Sequence, residues 1–142
     1  METEVAFPFE RRTSMPLPLV ASSVEAGFPS PADDHLERSI DLNEELVGNP
    51  AATFFVRVRG ESMRDAGIRH GDILVIDRSV EPADRQIVIA KLDGEFTVKR
   101  FRKRDGRVFL EAENPDYQPI EIGEDRDLTV WGAVTFVIHK AR

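Results

Sequence analysis

The sequence predicts an all-β fold: a twisted, partly open β-barrel or sandwich of short strands, carrying an extended N-terminal arm. Three observations lead there. From residue 52 onward the apolar residues recur with period two, as in Phe54, Val56 and Val58, which is the signature of a half-buried strand. Asp93-Gly94 sits between two such runs and is a strong two-residue hairpin signal. Turn residues then punctuate the chain at Gly60, Gly67, Gly71, Pro82, Gly106, Pro115 and Gly123, a spacing that suits several short antiparallel strands.

Composition allows such a domain. The chain has 142 residues, 41% hydrophobic and 32% charged, enough to build one core without staples. Its 26 acids against 19 Lys/Arg give a formal net charge of -7. That balance argues against a direct, sequence-specific reader of duplex DNA, which normally presents a basic surface. There are no cysteines, so disulfides, thiolate metal sites and cysteine nucleophiles are excluded together. No apolar run approaches the roughly 18 residues that cross a bilayer. The start, METEVAFPFE, has neither a basic leader nor an apolar signal core. A cytoplasmic protein without membrane attachment is expected.

Two regions are expected, 1–30 as a flexible arm and 31–142 as the β-rich domain. Five of the nine prolines fall within residues 1–31. Proline fixes φ and lacks an amide donor, so this stretch cannot form a regular helix or a central strand. Residues 31–48 are acidic, and Asp41-Leu42-Asn43-Glu44 has capping spacing, so a short helix is expected at about 42–47. Strands are expected at Thr53–Arg59, Asp72–Asp77, Gln86–Leu92, Glu95–Phe101, Arg107–Ala112 and Leu128–His139. The basic run Lys99–Arg104 alternates its side chains between two faces and leads into the turn Asp105-Gly106. It reads as a solvated hairpin end rather than a nucleic-acid patch. Glu121–Asp127 reads as a polar loop.

Little of this carries chemistry. His35, His70 and His139 are scattered and lack metal-ligand spacing, so they read as surface or capping residues and no metal or cofactor is expected. Two features stand apart. Gly60-Glu61-Ser62-Met63 ends a strong strand and opens a glycine-flanked loop able to present a hydroxyl and backbone amides. Lys99 lies within the strand Glu95–Phe101, on the face of Thr97 and Phe101. Separately, each has a plain reading: serines are commonplace in loops, and a strand lysine can snorkel to water. Together they offer a serine–lysine dyad. Serine needs a base to take its proton, and a neutral lysine amine can be that base if burial lowers its pKa from about 10.4.

The same residues resemble the LexA/UmuD family of self-cleaving serine peptidases. The resemblance rests on Gly60-Glu61-Ser62-Met63, on Gly67-Ile68 with Gly71-Asp72-Ile73-Leu74, and on Asp93–Lys99. Further likeness lies in Gly27–Ala32, Ile40–Asn43 and Asp127–Lys140, and covers about residues 26–140. The interval of 37 residues from Ser62 to Lys99 is the family's interval. The resemblance implies that Ser62 is the nucleophile and Lys99 the general base. It implies that the backbone amide of Ser62 binds the oxyanion together with one neighbour's amide, Glu61 being the candidate that the sequence does not single out, and that Ala26-Gly27 is the bond cut. Small residues flanking that bond let backbone approach backbone. It further implies stimulation by a RecA–single-stranded-DNA filament, a homodimer, and a processed form acting as accessory subunit of a UmuC-like Y-family DNA polymerase in translesion synthesis.

LexA-like repressors carry a helix-turn-helix domain before their cleavage bond. Here 26 proline-broken residues precede it, which moves the expectation from repressor to polymerase accessory subunit. A non-catalytic dimeric binding module of the same fold is the alternative, and a repressor fragment lacking its DNA-binding domain is a weaker one.

Overall fold

The computed structural model describes residues 2–8, 14–20 and 36–141. Ala26-Gly27 and His35 lie outside the described residues.

Strands alternate as the apolar pattern requires. In chain order they are β1 (Glu2–Pro8), β2 (Pro16–Val20), β3 (Leu36–Asp41), β4 (Thr53–Arg59), β5 (Ile73–Asp77), β6 (Ile87–Leu92), β7 (Glu95–Arg104), β8 (Arg107–Glu111), β9 (Ile120–Ile122) and β10 (Leu128–Ile138). Among the described residues an α-helix, α1 (Leu42–Leu46), follows β3.

Contacts divide the chain into two units: residues 1–9 with 49–142, and residues 10–48. In the smaller unit β2 pairs antiparallel with β3, Leu17 opposite Ile40. Pro16 and Pro18 stand two apart and present their missing donors to one side, which a two-stranded ladder tolerates. Asp41 ends β3 and caps α1, accepting at Oδ1 from the Asn43 amide at 3.0 Å. Its Oδ2 accepts from the Ser14 hydroxyl and the Met15 amide. The cap expected from the sequence is thus present, and it also ties the helix to the segment before β2.

The larger unit is an eight-stranded antiparallel sheet in the order β1-β4-β5-β10-β6-β7-β8-β9. The outer strands β1 and β9 do not pair with each other, so no barrel closes. The sheet curls, however, and β1 touches β7 as well as β4. This is the partly open all-β architecture that the sequence predicts.

Curling follows from β10, whose register slips at Val130/Gly132 against β6 and at Val134/Phe136 against β5. Such bulges bend and twist a strand. Gly132 permits the first: a Cβ there would lie 2.7 Å from the Asp77 carbonyl oxygen and 2.8 Å from Ile76 Cγ2. The β6–β7 turn has positive φ at both Asp93 (49°) and Gly94 (89°), the geometry of a type I′ hairpin. Asp93 also accepts from the Asp127 amide and from Arg126 Nε.

The sheet is buried on both faces. One core holds Phe54, Val56, Val58, Leu74, Ile76, Ile89 and Val98, with Met63 and Ile68 from the loop after β4. The other holds Val88, Ala90, Leu92, Phe101 and Leu110. Strand β6 alternates between them, Ile89 to one side and Val88 and Ala90 to the other, as period two dictates. Lys99, opposite Val88 in the ladder, belongs to the second face.

Candidate active site

The serine loop is fixed by its neighbours. Gly60, at φ 87°, turns the chain out of β4. A single 3-10 turn, Arg64–Ala66, follows and ends at Gly67. Met63 and Ile68 are fully buried and are joined by the bond from the Ile68 amide to the Met63 carbonyl. Anchoring Met63 in the core fixes the residue before it, Ser62, which is also fully buried.

Lys99 reaches that serine from β7. Its ammonium Nζ donates to Ser62 Oγ at 3.1 Å, to Thr97 Oγ1 at 2.9 Å and to the Val98 carbonyl at 3.3 Å. Lys99 is only 6% exposed, and this burial holds its amine below the ordinary lysine range, because a dry setting disfavours the charged form. The three contacts also suit the neutral amine. Its two N–H groups can stay on Thr97 and Val98 while its lone pair accepts from the serine hydroxyl. The sequence placed Thr97 on the face of Lys99; the structure makes it a hydrogen-bond partner.

A cavity of about 560 Å³ opens beside Lys99, and Ser62 is not among the residues that line it. Leu92, Phe96, Tyr117 and Ile120 give it apolar walls, Thr97 and Lys99 reach into it, and Asp93, Glu95 and Arg126 bring charge. An extended peptide with small or apolar side chains suits such a lining.

His70 and His139 bond elsewhere. His70 accepts at Nδ1 from the Gly60 amide at 3.1 Å. His139 Nδ1 lies 2.6 Å from Oδ1 of the buried Asp72. Among the described residues no group of three or more His, Asp or Glu side chains is placed to hold a metal ion. The basic run is also occupied: Arg100 pairs with Glu113, and Arg102 with Asp84 and Glu111.

One partner of the site escaped sequence reasoning. Asn114, 7% exposed, donates from Nδ2 to the Glu61 carbonyl at 2.9 Å, across 53 positions of sequence. The only local hint was the Asn-Pro pair at 114–115, a turn signal.

An open, antiparallel β-sheet thus brings a buried serine hydroxyl into contact with a buried lysine amine, an arrangement in which an amine could serve as base to a hydroxyl nucleophile. Comparison with known proteins agrees. Residues 18–135 match the Peptidase S24-like family, and the chain belongs to that family. It is 46% identical over 127 residues to protein ImpA of Salmonella typhimurium, covering 88% of this chain and 85% of that one. It is 45% identical over 125 residues to protein SamA of Salmonella typhimurium strain LT2, covering 88% and 86%. It is 43% identical over 122 residues to the LexA repressor of Ectopseudomonas mendocina, covering 85% of this chain and 59% of the repressor. The family resemblance drawn from the sequence therefore holds. Among the described residues no helix is long and apolar enough to cross a membrane.

Proposed function

We propose that the protein is a self-cleaving serine peptidase in which Ser62 attacks the Ala26-Gly27 bond and Lys99 is the general base. The observation that carries this reading is the 3.1 Å contact between Nζ and Oγ of two buried side chains. Neutral Lys99 takes the Ser62 hydroxyl proton as Oγ bonds to the Ala26 carbonyl carbon. The resulting oxyanion is held by the backbone amides of Ser62 and Glu61; no described residue accepts a hydrogen bond from either. The carbon–nitrogen bond then breaks, and the Lys99 ammonium gives its proton to the Gly27 amine. Water, deprotonated by the regenerated amine, releases the ester at Ala26.

The burial of Ser62 supports a role for an activator, since the cleavable segment must first enter the cleft. We place that activator as the RecA–single-stranded-DNA filament, and the product, residues 27–142, as a homodimer serving a UmuC-like Y-family polymerase during SOS mutagenesis. The likeness to ImpA, SamA and LexA repressors supports this assignment. Exposed Phe136, Val137 and Ile138 at the end of β10 offer an apolar run for a second copy.

The test is to incubate the purified chain from pH 7 to 10.5 and weigh the products. The expected cut is between residues 26 and 27. Its rate should rise with pH as Lys99 loses its proton, and level off below the ordinary lysine value. Ser62→Ala should abolish the cut. Cleavage that survives in Ser62→Ala, or a rate independent of pH, overturns the reading. The polymerase role is checked by binding of residues 27–142 to a Y-family polymerase against a surface-scrambled control.

A further inference from the structure

We infer that Glu113-Asn114 is a strut that positions the nucleophile loop against the base strand, with Asn114 orienting the amide that binds the oxyanion. This rests on the peptidase reading above.

The argument starts from the planarity of the peptide between Glu61 and Ser62. In a trans peptide the carbonyl and the N–H point in opposite directions. Whatever holds the Glu61 carbonyl therefore also aims the Ser62 amide. That carbonyl has two donors: the Arg64 amide at 3.1 Å, within the loop itself, and Asn114 Nδ2 at 2.9 Å, from outside it. Only the second relates the peptide to the rest of the domain.

Asn114 is held for this task. Its Oδ1 accepts from the Asp116 amide at 3.0 Å. An amide N–H can only donate, so this bond fixes which end of the carboxamide faces Glu61. The residue is buried, so a wrong orientation would leave polar atoms unpaired.

Glu113 supplies the other ties. Its carbonyl accepts from the Asp65 amide at 2.8 Å, a second clamp on the serine loop. Its side chain accepts from Arg100 Nε at 2.8 Å, and Arg100 adjoins Lys99 on β7. Arg100 is itself held through its donation to the Arg85 carbonyl at 2.8 Å. Two consecutive residues thus connect the Ser62 loop to the strand of Lys99. Asn114 touches no reacting atom, so it is a positioning residue and not a catalytic one.

Self-cleavage of the full chain tests this, with wild type, Asn114→Ala, Asn114→Asp and Asn114→Gln compared over pH 7 to 10.5. Loss of an oxyanion donor costs about 10²–10³ in rate, and misaiming one through a second residue should cost about tenfold to a hundredfold. Asn114→Ala should lower the plateau rate by that factor and leave the midpoint of the pH profile in place, because the surroundings of Lys99 are untouched. Asn114→Asp keeps the size and the acceptor for Asp116 but replaces the donor with an ionised carboxylate oxygen that repels the Glu61 carbonyl, so its plateau should fall at least as far even if the alanine variant does not fold. Asn114→Gln, which keeps a carboxamide, should recover part of the rate. Plateau rates within twofold of wild type in both Asn114→Ala and Asn114→Asp overturn the inference. So does a loss that tracks the unfolded fraction seen by circular dichroism, or one that Asn114→Gln does not relieve. If the wild type itself shows no Ser62-dependent cut, the peptidase reading fails and this inference falls with it.

Discussion

Replacing Lys99 by methionine separates the cost of a buried charge from the value of its hydrogen bonds. The stem keeps nearly the same length, so packing against the face of Val88, Phe101 and Leu110 is preserved. The contacts to Ser62, Thr97 and Val98 are lost. About one unit above the unfolded lysine's pKa of about 10.4, at about pH 11.5, the lysine is neutral both folded and unfolded. There the variant should be less stable by about 1–3 kcal/mol, the cost of leaving a buried hydroxyl without its partner. As pH falls, burial holds the folded amine below the ordinary lysine range while the unfolded chain takes up its proton near 10.4. The unfolded state then binds more protons, and wild type loses stability that was fully present above pH 10.4. Each unit of depression removes about 1.4 kcal/mol. The deficit of the variant should therefore shrink as pH falls from about 11.5 through about 10.4, and level off once pH passes below the folded pKa of Lys99. Urea unfolding across that range measures it, with Gly27→Val in both chains to block self-cleavage. A deficit that is constant, or that grows as pH falls, would refute the argument that Lys99 is destabilised as a cation.

Two further outcomes concern the scaffold. Gly132→Ala forces a methyl to within 2.7 Å of the Asp77 carbonyl oxygen; backbone cannot yield as a side chain can, so a loss of about 1–3 kcal/mol is expected by thermal denaturation. Leu110→Ala opens a cavity in the second core, where Leu110 is fully buried, and should cost about 2–5 kcal/mol with an unchanged urea m-value; a cost below 1 kcal/mol would show that the site collapses freely.

Much of the sheet was legible because its signals are local. Thr53–Arg59 alternates cleanly and is a strand over that span, and Asp93-Gly94 makes the hairpin its chemistry demands. The strands that escaped lack such signals. In β2 the prolines at 16 and 18 argue against any strand, and only an isolated two-stranded ladder accommodates them. Strand β9 has three residues, Ile120–Ile122, too few to show a period. Strand β7 runs on to Arg104 because Arg100 and Arg102 find acids in β8 and the loops around it, partners that charge alone does not reveal. At the site, residue types offered the pair Ser62 and Lys99 and the family resemblance singled it out; the two side chains meet at 3.1 Å. The hold of Asn114 on Glu61 could not, since it joins loops far apart in sequence by one hydrogen bond without periodicity.

The place of β1 gives the proposed cut a second meaning. Glu2–Pro8 forms the outer strand beside β4, Glu2 opposite Arg59 and Glu4 opposite Arg57. While the chain is whole, a covalent tether keeps this strand at high effective concentration beside its partner. Severing residues 26 and 27 turns the same pairing into a bimolecular equilibrium between a short peptide and a protein. Dilution would then favour loss of β1, and β4 would become a sheet edge, its alternate amides and carbonyls open to another strand. Proteolysis here would act less by removing residues than by changing the order of a reaction, from first to second.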